Sequence, residues 1–124
     1  MAINPVAWFE IYVQDMERAK QFYESVFQLE LRELSPPFSG IELWGFPCEQ
    51  QSYGATGALV KLEGCSSGGN STIIYFHCED CGVEEARAKK HGGRVHREKM
   101  SIGEYGFISL VMDTEGNMIG LHSM

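Results

Sequence analysis

Twice in this chain an alternating apolar segment runs directly into an Asp-capped amphipathic one, and the two caps, Asp15 and Asp80, stand 65 residues apart. In the first copy Phe9, Ile11 and Val13 alternate with Trp8, Glu10, Tyr12 and Gln14, the period of a strand with one face on a core. Asp15 then opens a helix in which Met16, Ala19, Phe22, Tyr23, Val26 and Phe27 recur at three- and four-residue spacing. Three β-like runs follow, Leu29–Leu34, Ile41–Phe46 and Ala55–Leu62, divided by Ser35-Pro36-Pro37 and by a polar loop. The second copy starts with the strand Thr72–Cys78. Its helix carries Glu84 and Glu85 early and Lys89 and Lys90 late, which suits the helix dipole, and ends at Gly92-Gly93. Strands Arg94–Lys99, Phe107–Met112 and Met118–His122 complete it, the last two joined by the turn Asp113-Thr114-Glu115-Gly116-Asn117. The pattern predicts an α+β fold of two tandem βαβββ modules, about 5–63 and 72–124, joined by a turn-rich linker at about 64–71.

A chain of 124 residues supplies one hydrophobic core, so residues 1–124 are expected to form a single domain. The net charge of −7 opposes general binding to nucleic acid or to an anionic membrane, and points toward a small-molecule ligand. No segment approaches the roughly 18 apolar residues of a membrane span. The start of the sequence lacks the pattern of an export signal, so the expectation is a cytoplasmic protein with Cys48, Cys65, Cys78 and Cys81 as reduced thiols.

Overlaying the two copies pairs Trp8 with Ile73, Glu10 with Tyr75 and Tyr12 with His77. Each first strand therefore turns a polar and aromatic face away from its helix. The two modules, the helix Asp-Met-Glu-Arg-Ala-Lys-Gln-Phe-Tyr, the Gly-Gly helix end and the Asp-Thr-Glu-Gly-Asn turn together resemble the vicinal oxygen chelate superfamily. Its members include glyoxalase I, bleomycin-resistance proteins and extradiol dioxygenases, and this chain is most similar to the glyoxalase-like branch with Trp-Phe-Glu on the first strand. The resemblance implies a curved, cup-shaped mixed sheet with helices on its convex side and a ligand or metal site on its concave face. Members resembling glyoxalase I hold a divalent metal through four His, Glu or Gln residues on the first and fourth strands of the modules. Those positions fall here on Trp8, Ile73, Gly120 and near Thr56, a set unsuited to ligation, so neither metal nor other cofactor is expected.

On the expected concave face Glu10 and His77 are the acid–base candidates, since a carboxylate removed from water rises in pKa and histidine titrates near neutrality. Trp8, Tyr12, Trp44, Tyr75, Tyr105, Met118, Gly120 and His122 are the candidate ligand-binding residues. Trp44 would add an aromatic wall, with Ile41 and Leu43 facing the core; Tyr105 would tip a glycine-flanked loop; Gly120 would leave room for ligand. Binding alone and proton-transfer chemistry both suit this set. A metal site regrouped from Glu10, His77 and His122 is the alternative, as in a metal-dependent lyase or dioxygenase with relocated ligands. A thiol redox pair at Cys78 and Cys81 is a second alternative, opposed by Glu79 and Asp80 between the sulfurs. The aromatic concave face also predicts a homodimer.

Overall fold

The computed structural model describes residues 4–49 and 53–124, so the polar loop ahead of the fourth strand lies partly outside the described residues. The elements run β1 (Trp8–Tyr12), α1 (Met16–Phe27), β2 (Arg32–Leu34), β3 (Ile41–Gly45), β4 (Thr56–Leu62), β5 (Tyr75–His77), α2 (Cys81–Lys90), β6 (Arg94–Ser101), β7 (Phe107–Met112) and β8 (Met118–Ser123), with a 3-10 turn at Gly103–Tyr105. Both βαβββ modules are present. They form two four-stranded mixed sheets, ordered β1-β4-β3-β2 and β5-β8-β7-β6. In each module the first strand lies parallel to the fourth and the remaining pairs are antiparallel.

Both expected helix caps form: the Asp15 carboxylate accepts the Arg18 amide at 3.1 Å and the Asp80 carboxylate accepts the Gly82 amide at 2.9 Å. Helix α1 buries Met16, Ala19, Phe22, Tyr23 and Val26, the stripe its periodicity predicts. One core serves both sheets, because a single buried cluster joins the α1 stripe to Ile11 and Leu59 of the first module and to Val111, Ile119 and Leu121 of the second. The inner strands meet through side chains, with the Phe9 and Phe76 rings edge to face at 6.1 Å. Burying an aliphatic or aromatic side chain of this size stabilises by about 1.5–3 kcal/mol, so the shared core ties the modules into one unit.

Two strands are shorter than the sequence suggests. Gln28 leaves α1 with φ +55, and Leu31 is buried with its amide on the Glu24 carboxylate at 2.9 Å, so pairing of β2 begins only at Arg32. Ahead of β5, the Asn70 side-chain amide accepts the N–H of Met118 at 3.0 Å and donates to its carbonyl at 3.1 Å. A side chain thus supplies the rung that a longer β5 would have made.

The Asp113–Asn117 turn does more than join two strands. Glu115, whose side chain is fully buried, accepts the amides of Gln14 at 2.8 Å and Asp15 at 2.9 Å and the Arg18 guanidinium at 2.7 Å and 3.0 Å. It therefore caps α1 from the opposite module. Asp113 accepts the hydroxyl of the fully buried Tyr23 at 2.6 Å, and Asn117 donates to the Tyr12 carbonyl at 2.8 Å. The linker is fastened to the same turn, with Ser67 donating to the Glu115 carbonyl at 2.6 Å and the Gly68 amide donating to Asn117 at 2.7 Å.

Candidate functional site

Strand β1 presents Phe9 and Ile11 to the core, leaving Trp8, Glu10 and Tyr12 on the open face. Glu10 lies between the two rings: the Trp8 indole N–H donates to one carboxylate oxygen at 3.3 Å and the Tyr12 hydroxyl to the other at 3.0 Å. Burial, followed by the bond to Glu10 and its charge, raises the Tyr12 hydroxyl above its usual pKa, so it is a neutral donor at neutral pH. Beside this group is a cavity of about 250 Å³ where the modules and the linker meet. Glu10, Tyr12, Asn70, Thr72, Asn117 and Met118 are among its lining. The cavity joins one carboxylate, neutral hydrogen-bonding groups and apolar surface from Ile74 and Ile119.

Tyr75, His77, Gly120 and His122 form a second group on β5 and β8, with Tyr105 in the 3-10 turn. His77 pairs with His122 and Tyr75 with Gly120 in the parallel ladder. The His122 ring nitrogen meets the Tyr105 carbonyl at 2.7 Å, which ties the 3-10 turn to β8. None of these residues lines the cavity beside Glu10, and Glu10 and His77 share no hydrogen bond, so the structure does not assemble them as an acid–base pair.

Two expectations are corrected. Trp44 is not on the open face: it pairs with Leu59, a core residue, and its ring carries the Lys20 ammonium of α1 at 3.4 Å from the centroid. Leu43 is instead the residue on the open side, because strand β3 is apolar on both faces and only its register with β4 fixes its parity. Gly120, for its part, leaves no free space. A Cβ there would strike the Tyr75 ring, which lies across the glycine.

A larger cavity, of about 750 Å³, opens on the first module around Gln14, Glu42, Lys61, Glu63 and Cys65, and meets the smaller one at Ser66. It contains none of the predicted site residues. Its charged walls are largely the solvated Glu42–Lys61 cross-strand pair and the exposed Glu63.

A profile of the Glyoxalase/Bleomycin resistance protein/Dioxygenase superfamily matches residues 3–121. The chain belongs to this superfamily. No curated protein matches the sequence. A superfamily member from Sphaerobacter thermophilus superposes with a TM-score of 0.75 at 18% identity, covering 98% of each chain. Leishmania major glyoxalase I, described as trypanothione-dependent, gives 0.70 at 21% identity over 98% of this chain and 87% of that one. Glyoxalase I from Zea mays gives 0.71 at 17% identity, and this chain spans only 46% of its length. These likenesses establish the glyoxalase-like fold.

The superfamily fold implies a metal on the first and fourth strands of the modules, and the residues here do not fit one. The fourth position also needs correction. Glu10 pairs with Ala58 as its counterpart Tyr75 pairs with Gly120, so Ala58 rather than Thr56 occupies the place equivalent to Gly120. Trp8, Ala58, Ile73 and Gly120 offer no side-chain ligand of the usual kind. Among the described residues no three His, Cys, Asp or Glu side chains converge to hold an ion, so the regrouped trio Glu10, His77 and His122 is not assembled.

The redox alternative meets similar opposition. Cys78 and Cys81 are buried free thiols, and burial, with the neighbouring Glu84, pushes the Cys78 thiol up to about 12. Reactive cysteines need access and a depressed pKa. Nothing in the linear pattern marks Asn70, Thr72 and Asn117 as cavity residues. Only the Asp-Thr-Glu-Gly-Asn motif hinted at one of them, and its hydrogen bonds crossing between modules become visible once the chain is folded.

Proposed function

We propose that this superfamily member binds a small molecule without a divalent metal, in the cavity where β1, β8 and the linker meet. The observation that carries the reading is the exchange at the site: non-ligating residues at Trp8, Ala58, Ile73 and Gly120, beside an oriented carboxylate at a cavity. Ligands favour such concave surfaces, where apolar walls hold the body of the molecule and a few polar groups fix its orientation. Tyr12, Asn70 and Asn117 supply those polar groups, and Met118 with Ile74 supplies apolar wall. Glu10 is the group that would receive a hydrogen-bond donor or a proton of a bound ligand, and the Trp8 and Tyr12 donors hold its carboxylate in place. His77, His122, Tyr75 and Tyr105 form the second part of the open face and would meet a longer ligand or a second subunit. We also propose a cytoplasmic homodimer, for which Tyr75, 47% exposed, supplies aromatic surface.

The test uses untagged protein. Metal analysis is expected to find well under one equivalent of zinc, nickel, iron or manganese per chain, and the same preparation is expected to bind fragments in a thermal-shift screen. Stoichiometric metal that is lost in Glu10→Ala would contradict the reading.

A further inference from the structure

The open face of β1 has a charge problem that its own chain leaves unsolved. Trp8, Glu10 and Tyr12 occupy alternate positions, so their side chains project together with about 6.6 Å between successive members. The indole and the phenol both donate to the carboxylate, at 3.3 Å and 3.0 Å, which fixes an aromatic ring on each side of one negative charge. Both donors are neutral. They orient the charge without cancelling it, and two of the roughly four lone-pair sites of the carboxylate remain open.

Among the described residues, no Lys, Arg or His forms an ion pair with Glu10. The other tryptophan provides an internal comparison, since Trp44 already carries the Lys20 ammonium on its ring face. Trp8 has no such resident among the described residues, and it is 45% exposed, so its ring is accessible. Among the described residues Glu10 is also the only charged one lining the adjoining cavity. An anionic ligand would bring like charge against it; a cation would find a counter-charge flanked by two aromatic rings, the combination that recognises alkylammonium groups.

We infer that Trp8, Glu10 and Tyr12 form a receptor for the cationic head of an alkylammonium ligand, whose body lies in the cavity toward Met118 and Asn117. This assignment rests on the proposed small-molecule site and names the chemistry of its ligand.

The experiment follows the indole N–H resonance of Trp8 in isotope-labelled protein during titration with choline, with 3,3-dimethylbutan-1-ol as the uncharged isostere and acetate as the anion. Choline is expected to shift Trp8 saturably and to bind at least about fivefold more tightly than the isostere, while the Trp44 resonance stays in place. Glu10→Gln is expected to remove that preference. Tyr12→Phe, which keeps the ring and the charge, is expected to preserve it. Equal binding of the isostere, tighter binding of acetate, or a preference that survives in Glu10→Gln would overturn the assignment. Were a neutral or anionic fragment to saturate the cavity through Asn70 and Asn117, the site would stand and its cation preference would fall. Were no probe or fragment to move any cavity residue, both would fall.

Discussion

At the scale of single residues, the best-defined electrostatic feature is Glu115. Burial alone would raise its pKa, but hydrogen bonds from Arg18 and from the Asp15 and Gln14 amides outweigh burial and hold it at about 2. A carboxylate whose folded pKa is depressed adds stability that is complete above its usual value near 4.5 and is lost as pH falls toward 2. Asp113 has the opposite sign: burial raises it despite the bond from Tyr23, so its contribution is lost as pH rises through its folded pKa. Glu115→Gln is therefore expected to cost about 2–3 kcal/mol in denaturant unfolding at pH 7, since Arg18 is half exposed and water recovers part of its loss. The cost should shrink toward pH 3. Equal pH dependence of variant and wild type would remove Glu115 from the account.

At the scale of elements, β5 and β8 depend on the Tyr75 ring covering Gly120. Gly120→Ala is expected to destabilise by about 1–3 kcal/mol, because the added methyl must displace that ring. Placing the same change in a Tyr75→Ala background should remove most of the cost; an undiminished cost would mean that the glycine is required for another reason. The elements also mark what the sequence could reveal. Strand β1 alternates cleanly, so its two faces are legible, and Asp15 and Asp80 are legible as caps because the carboxylate stands directly before a periodic stripe. Strand β3 misled because Ile41, Leu43, Trp44 and Phe46 are apolar on both faces, and no periodicity chooses between two apolar sides. The truncation of β5 was illegible for another reason: a distant pairing, that of Asn70 with Met118, replaces its first rung.

At the scale of the molecule, the modules are bound by a shared core and by the clamp from the Asp113–Asn117 turn to α1 and the linker. The candidate cavity lies at this junction, so its shape depends on how the modules are joined. That is why the sequence disclosed Glu10, Tyr12 and Met118 as members of one face and did not disclose Asn70 or Asn117 beside them. Light scattering at micromolar concentration is expected to give about twice the chain mass of 13.9 kDa, in keeping with the aromatic open face; a mass of one chain would refute the dimer. Ligands are expected to enter the cavity beside Glu10, and a backbone amide map of isotope-labelled protein titrated with the strongest hit of a fragment screen tests this. Saturable shifts are expected at Glu10, Tyr12, Asn70, Asn117 and Met118; shifts confined to Glu42, Lys61 and Cys65 around the larger cavity would overturn the assignment.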